Sequence, residues 1–302
     1  MALPDQQHEA EPKTPVQRDA STAAFEFVRE LSVELSASTI ELPSFPEVAA
    51  RVQKVLSEET TSSDRVVRVI GAEPMLATRV LKMANSAALN PSGKTISELR
   101  TAVDRLGFDA LRAATMSFAM AQLRSAAAYK GVQRYLDALW QQSVLVASLC
   151  FVLARRSGRI NPDTAMLTGL VHGVGKLYIL TRSTHHPALF ADQDMYQHIV
   201  NDWHGSIAKV LLENWQMAED VITAVATYSD DSRQGRGPSA MLADVLDSAL
   251  TIAACKQLPD ALGERVGALK SAARLELTAE VCQALLAESA DELSALRSAL
   301  GQ

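Results

Sequence analysis

Apolar residues recur along this chain at three- and four-residue spacing and nowhere alternate over the length of a strand, a pattern that restricts the fold to packed helices. Ala24, Phe27, Val28, Leu31 and Leu35 set the pattern, and Val48, Val52, Val55 and Leu56 continue it after the proline-bearing bend 42–46. Ser44 and Glu47 have the spacing of a capping box, and Ser63 before Asp64 places an acceptor and a negative charge at the next helix start. Pro74 opens a helix carrying Met75, Leu76, Val80, Leu81 and Ala84. Leu99, Val103 and Leu106 form another, stopped at Gly107, and Leu111, Ala114, Met116 and Met120 follow on the next. Further on, the spacing predicts long helices over 133–157, 162–180, 192–216 and 218–229, then Ala- and Leu-rich helices over 239–256 and 279–299. The polar, glycine-bearing stretch 231–238 reads as an exposed loop.

These elements divide into a flexible tail over 1–20, a first helical lobe over 21–130, a second over 131–235, and C-terminal helices over 236–302 packed on or extending the second lobe. With 302 residues and 48% hydrophobic side chains, the chain can bury a large core. Its 29 basic and 35 acidic residues leave a net charge of −6, which repels phosphate backbones and argues against nucleic acid as a partner. Arg100, Arg105 and Arg112 flank a helix, turn and helix over 99–120, but such turns recur in any helical bundle and core packing is the better reading. Cys150, Cys255 and Cys282 are odd in number and widely spaced, so they suit neither a disulfide framework nor a zinc knuckle. The polar N-terminus lacks a signal-type apolar region, and no uninterrupted apolar run approaches the ~18 residues of a membrane span. The cytosol is the expected compartment, with no membrane association.

The most chemical string is Gly169-Leu170-Val171-His172-Gly173-Val174-Gly175-Lys176-Leu177. It fails as a phosphate-binding loop, because five residues separate Gly169 from the Gly-Lys pair and Leu177 carries no hydroxyl for magnesium. It fails as a dinucleotide fingerprint too, having no third glycine and no preceding strand. On the residues alone, His172 reads as a hydrogen-bonded core histidine, Gly173 and Gly175 as sites of close helix packing, Lys176 as a solvated lysine, and His185-His186 as a bend before Pro187. Trp140, Trp203, Trp215 and the methionines at helical spacing read as core.

Over about residues 40–235 the chain resembles the HDOD domain, a branch of the HD metal-dependent phosphohydrolase superfamily. The resemblance rests on Leu42-Pro43-Ser44-Phe45-Pro46, on Ala84-Asn85-Ser86 within its helix, on Ala102-Val103-Asp104-Arg105-Leu106-Gly107, on the 169–177 string, and on His204 with Leu211, Leu212 and Trp215. It implies an all-α, two-lobed bundle with an HD-type core. An HD hydrolase holds its metal with an upstream His, the His-Asp pair and a later Asp, because divalent ions need several imidazole and carboxylate ligands around an activated water. Here the resemblance places Gln142 at the upstream position, His172 and Gly173 at the pair, and His204 or Asp230 downstream, so the bridging carboxylate is missing. These five positions are therefore expected to be vestigial, with no metal, no cofactor and no catalytic residue.

What the resemblance implies is a non-catalytic regulatory protein of bacterial signal transduction. It would act on another signalling protein through a helical surface, with a component of a cyclic dinucleotide pathway as a further possible partner. No receiver, GGDEF or EAL-type segment is read in the remaining residues, which leaves output to a separate partner. Two alternatives stay open. One is an atypical phosphohydrolase acting on nucleotides with His172, His204 and Asp230 as its metal shell; the other is a nucleotide-sensing module with a vestigial cleft near Asn85, Gln142, His172, Lys176 and His204.

Overall fold

The computed structural model describes residues 15–37, 40–42, 45–58, 60–228, 238–255 and 259–301, and among them every regular element is a helix. In chain order these are α1 (Pro15–Ser36), α2 (Glu47–Ser57), α3 (Ser63–Gly71), α4 (Pro74–Ala84), α5 (Leu99–Ser125), α6 (Gln133–Ser157), α7 (Pro162–Val171), α8 (Val174–Ser183), α9 (Gln193–Asn214), α10 (Glu219–Thr227), α11 (Pro238–Cys255), α12 (Leu262–Ala268), α13 (Lys270–Arg274), α14 (Ala279–Glu288) and α15 (Ala290–Ala299). Short 3₁₀ turns lie at Ala127–Val132, Pro187–Ala191 and Pro259–Ala261.

Helices α2 to α5 pack on one another, and α6 is the axis around which the rest assembles, touching α5, α7, α8, α11 and α15. Leu136, Trp140, Val144, Leu149 and Phe151 of α6 are all buried. Each such side chain contributes about 1.5–3 kcal/mol over its exposed state, so α6 carries a large share of the core. By length and composition the window 127–157 could cross a membrane, but most of it is buried inside the protein. Gly158, in the left-handed region at φ 63°, ends α6 where a side chain would be strained. Gly107 takes φ 72° and ψ 174° inside α5, producing there the break expected from the sequence. The segment after that break, which a helix-turn-helix would lay on DNA, is instead core from Ala110 to Ala119. Arg112 points inward, donating to Gln53 Oε1 at 3.1 Å and to the Leu56 carbonyl at 2.8 Å.

Several elements differ from their sequence reading. Helix α1 starts at Pro15, inside the stretch read as a tail, because Ala20, Ala24, Phe27 and Leu31 form one buried stripe. That stripe docks on Pro187–Ala191 and α9 rather than on α2 to α5. Polar contacts fix it: Glu30 pairs with His186 Nε2 at 3.0 Å, and Glu34 accepts from the Tyr178 hydroxyl at 2.5 Å and from Arg182. Residues 1–14 lie outside the described residues, as do residues 231–237 of the loop expected over 231–238; its last residue, Pro238, is the first of α11. Glu47 is the first residue of α2, behind Pro46, so it cannot serve as the fourth residue of a capping box; Ser44 lies outside the described residues. The cap of α3 is Ser62, one residue earlier than expected, and its hydroxyl accepts from Arg65 N at 3.4 Å.

The single helix expected over 162–180 is two, parted at His172 and Gly173, and the helix over 279–299 breaks at Ser289. At the C-terminal end α15 reaches α4 as well as α6. The Leu300 carbonyl accepts from Ser117 Oγ at 2.6 Å and from Arg79 Nη1 at 3.0 Å, tying the end of the chain to α4 and α5.

Candidate functional site

The 169–177 string forms the α7–α8 junction, and its geometry follows from local signals. Asn161 Oδ1 accepts from Asp163 N at 2.8 Å and Pro162 occupies the first turn, which starts α7 firmly. From Ala165 to Val171 the helix is wholly buried. Gly169 lets it press against α6: a Cβ there would stand 2.7 Å from Ala147 Cα. His172, at the C-terminal end of α7, is fully buried. Its Nδ1 lies 2.7 Å from the Gly169 carbonyl, which can only accept, so Nδ1 carries the proton and Nε2 presents a bare lone pair. That lone pair has no hydrogen-bond partner among the described residues.

Burial pushes the His172 imidazole down to about 4; the Gly169 hydrogen bond opposes this, and the nearby Lys176 and His204 reinforce it. His204, on α9, is likewise held down at about 4, by burial first and by Lys176 second. Its Nδ1 also lacks a partner among the described residues, and its ring sits 6.2 Å from that of Tyr228. Burial, with Asp247 adding to it, raises the Tyr228 hydroxyl to about 12. Lys176 is not the freely solvated lysine expected: burial lowers its ammonium, and no described carboxylate pairs with it. His204 reaches this group because α8 and α9 nearly touch. A Cβ on Gly175 would overlap the His204 carbonyl oxygen and stand 2.8 Å from its carbon and 3.1 Å from Ala208 N.

The structure therefore brings together three of the expected positions, His172, Lys176 and His204. Others it places elsewhere. Gln142 is exposed on α6, and the α6 atoms that face Gly173 are Ser143 Oγ and the Leu139 side chain, 3.2 and 3.3 Å from where a Cβ would stand. Asn85 lies apart from this cluster and clamps the chain at Ile96. Its Nδ2 donates to the carbonyls of Leu81 at 2.9 Å and Ile96 at 2.7 Å, and its Oδ1 accepts from Ile96 N at 2.7 Å. Asp230 lies outside the described residues. His185 is exposed while His186 turns inward to Glu30, so the two histidines of the bend diverge.

Sequence reasoning missed Ser143, buried on α6 beside Trp140, which is buried as its helical spacing predicts. The indole Nε1 of Trp140 has no partner among the described residues. With Met116, Met120, Leu170 and Val174, these two line a cavity of only about 20 Å³ beside Gly173. That is room for a single water and for no phosphoester. A helical residue at 142 or 143 differs by a rotation of about 100°, and only the fold decides which one faces inward.

A divalent metal of the HD type needs carboxylate as well as imidazole, and this donor set does not fit one. Two neutral imidazoles and an ammonium converge here, and no group of three or more His, Cys, Asp or Glu side chains gathers anywhere among the described residues. The cluster can donate from Lys176 and accept at His172 Nε2, which suits hydrogen bonding or charge recognition.

The family model of the HDOD domain matches residues 42–230, well over half of the chain. This chain belongs to the HDOD family. No curated protein matches it. Among solved structures, a candidate metal-dependent phosphohydrolase from Shewanella amazonensis SB2B is 25% identical with a TM-score of 0.73, over 92% of this chain and 99% of that one. An HDOD domain protein from Geobacter sulfurreducens is 21% identical with a TM-score of 0.60, over 95% and 98%. A candidate signal transduction protein from Marinobacter aquaeolei VT8 is 23% identical with a TM-score of 0.60, over 95% of this chain and 66% of that one. The all-α architecture of this HDOD protein is thus that of its family.

Proposed function

We propose that this HDOD protein is a non-catalytic regulatory protein of bacterial signal transduction that acts by binding another protein. The observation that carries the reading is at Gly173, where an HD hydrolase has its bridging aspartate. The residue lacks the carboxylate, and Ser143 and Leu139 crowd the space into which one would project. Lys176, the remaining charged group of the cluster, is an ammonium with donors only and adds no metal ligand. Catalysis by this superfamily's route needs a metal-bound water, and a set of two imidazoles and one ammonium does not supply its site.

The likeness in fold to the Marinobacter protein, named for signal transduction, supports the regulatory setting. Partner binding would use helical surface. Phe25 and Val33, 71% and 64% exposed on α1, are apolar side chains available to it. The test is a phosphodiesterase assay of the full chain against bis-p-nitrophenyl phosphate with added manganese. The reading expects a rate equal to the protein-free blank. Turnover that scales with protein and disappears on chelation refutes it.

A further inference from the structure

The C-terminal end of α6 and the turn between α13 and α14 line a half-open cavity of about 390 Å³, within the range of small-molecule sites. It lies away from the α7–α8 junction and shares no residue with it. Its walls carry the guanidinium groups of Arg156, Arg159 and Arg274, an unusual concentration in a chain of net charge −6. Arg274 is set in place by Asp244, a buried carboxylate that takes its Nε at 2.7 Å and its Nη2 at 2.5 Å. Arg156 and Arg159 have no ion pair and no side-chain hydrogen bond among the described residues, so their donors are available. Leu153, Leu275 and Leu277 also line the cavity; Leu153 and Leu277 are buried, so half-buried Leu275 carries most of their exposed apolar surface. One carboxylate lines the wall, that of Glu276. Its backbone is held at φ 56° by the hydrogen bond from Leu277 N to the Ala272 carbonyl at 2.9 Å, a position where glycine is the unstrained choice.

We propose that this cavity is a binding site for a guanine mononucleotide. Forked guanidinium donors match phosphate oxygens in charge and geometry, and two of the three here lack other partners. Leu275 gives a base an apolar edge to pack against. A carboxylate in the wall would repel a bare phosphate, but it accepts well from adjacent ring and amino N–H groups, which guanine carries on one edge and adenine does not. The chemistry of the walls is therefore that of a phosphate at one end and an N–H-rich base at the other. This site is independent of the degenerate HD cluster, and its occupancy would give the protein a small-molecule input without any turnover.

The test is isothermal titration of GMP into the full chain, with AMP and inorganic phosphate as comparison probes. Saturable GMP binding is expected, weakened at least tenfold in an Arg156→Gln, Arg159→Gln double variant. AMP and phosphate are expected to bind at least tenfold more weakly than GMP, and Glu276→Gln to narrow the gap between GMP and AMP. Both arginines are exposed, so the double variant should keep its thermal midpoint, and Arg134→Gln, an exposed arginine on the first turn of α6, serves as the control. No saturable GMP binding, binding unchanged in the double variant, or inorganic phosphate bound as tightly as GMP would each overturn the proposal.

Discussion

Replacing Gly175 by alanine tests whether α8 and α9 approach as closely as described, and the consequence can be worked from the geometry. The added Cβ would overlap the His204 carbonyl oxygen, with the carbonyl carbon at 2.8 Å and Ala208 N at 3.1 Å, where ordinary contacts begin near 3.4 Å. The opposing atoms are backbone in the middle of a 22-residue helix, so no side-chain rotation relieves the overlap and α9 must shift as a unit. Overpacking of this kind costs about 1–3 kcal/mol and sometimes more, and a rigid opposing surface puts this case at the upper end. The gain from a better helix former is below about 1 kcal/mol, leaving a net loss of roughly 2–3 kcal/mol. For a chain of this size that lowers the thermal midpoint by about 4–10 °C.

The assay is thermal unfolding of the variant beside Gly267→Ala. Gly267 lies in α12 with nothing within 4 Å of its would-be Cβ and no positive φ, so that control should hold or gain stability. A Gly175→Ala protein as stable as the parent would refute the close approach, and with it the reason His204 sits near Lys176 and His172.

Acid should weaken the fold through the same cluster. The folded-state value of His172 is about 4 against the usual 6.5, so its contribution is complete above about pH 6.5 and is lost as pH falls toward 4, where the unfolded chain takes up a proton that the folded one refuses. At about 1.4 kcal/mol per pH interval this amounts to roughly 3 kcal/mol, and His172→Asn, which keeps a donor for the Gly169 carbonyl, should make urea-derived stability fall less steeply between pH 6.5 and 4.5, the remaining slope coming from His204, which burial holds down in the same way. Gly173→Asp is expected to lower stability and to show no phosphodiesterase activity with manganese, since one carboxylate beside Ser143 and Leu139 does not complete a metal site; measurable turnover in this variant would contradict the account. Asn85→Ala should cost about 2 kcal/mol in chemical denaturation by removing the partner of the Ile96 amide and of the Ile96 carbonyl, while the backbone N–H of residue 85 still donates to Leu81.

Much of the fold was legible because helical spacing, prolines at first turns and glycines at breaks are local signals. Pro74 and Pro162 open their helices, and Gly107 and Gly158 interrupt or end theirs, as their conformational preferences require. At the site, the His172-Gly173 pair was visible at once, because a missing carboxylate is read directly from the string. What sequence could not supply were facts of rotation and of distance along the chain. Whether Gln142 or Ser143 faces the junction depends on how α6 is turned against α7. Asn85 looked like a candidate ligand group because its two tertiary partners, both on Ile96, carry no signature of their own. The start of α1 was misplaced because its stripe is repaid by residues 187–214, far away in the chain, and not by its neighbours. The tie between Leu300 and Arg79 spans the length of the fold and has no local pattern at all.

The account stands or falls on the absence of a working metal site, and the most direct measurement is elemental analysis of the full-length protein after dialysis against metal-free buffer, repeated after incubation with manganese, iron or zinc. The account predicts far less than one equivalent of any divalent ion in each case, because the described donors at the junction are two imidazoles without a carboxylate. One retained equivalent, lost on replacing His172 or His204, would contradict it.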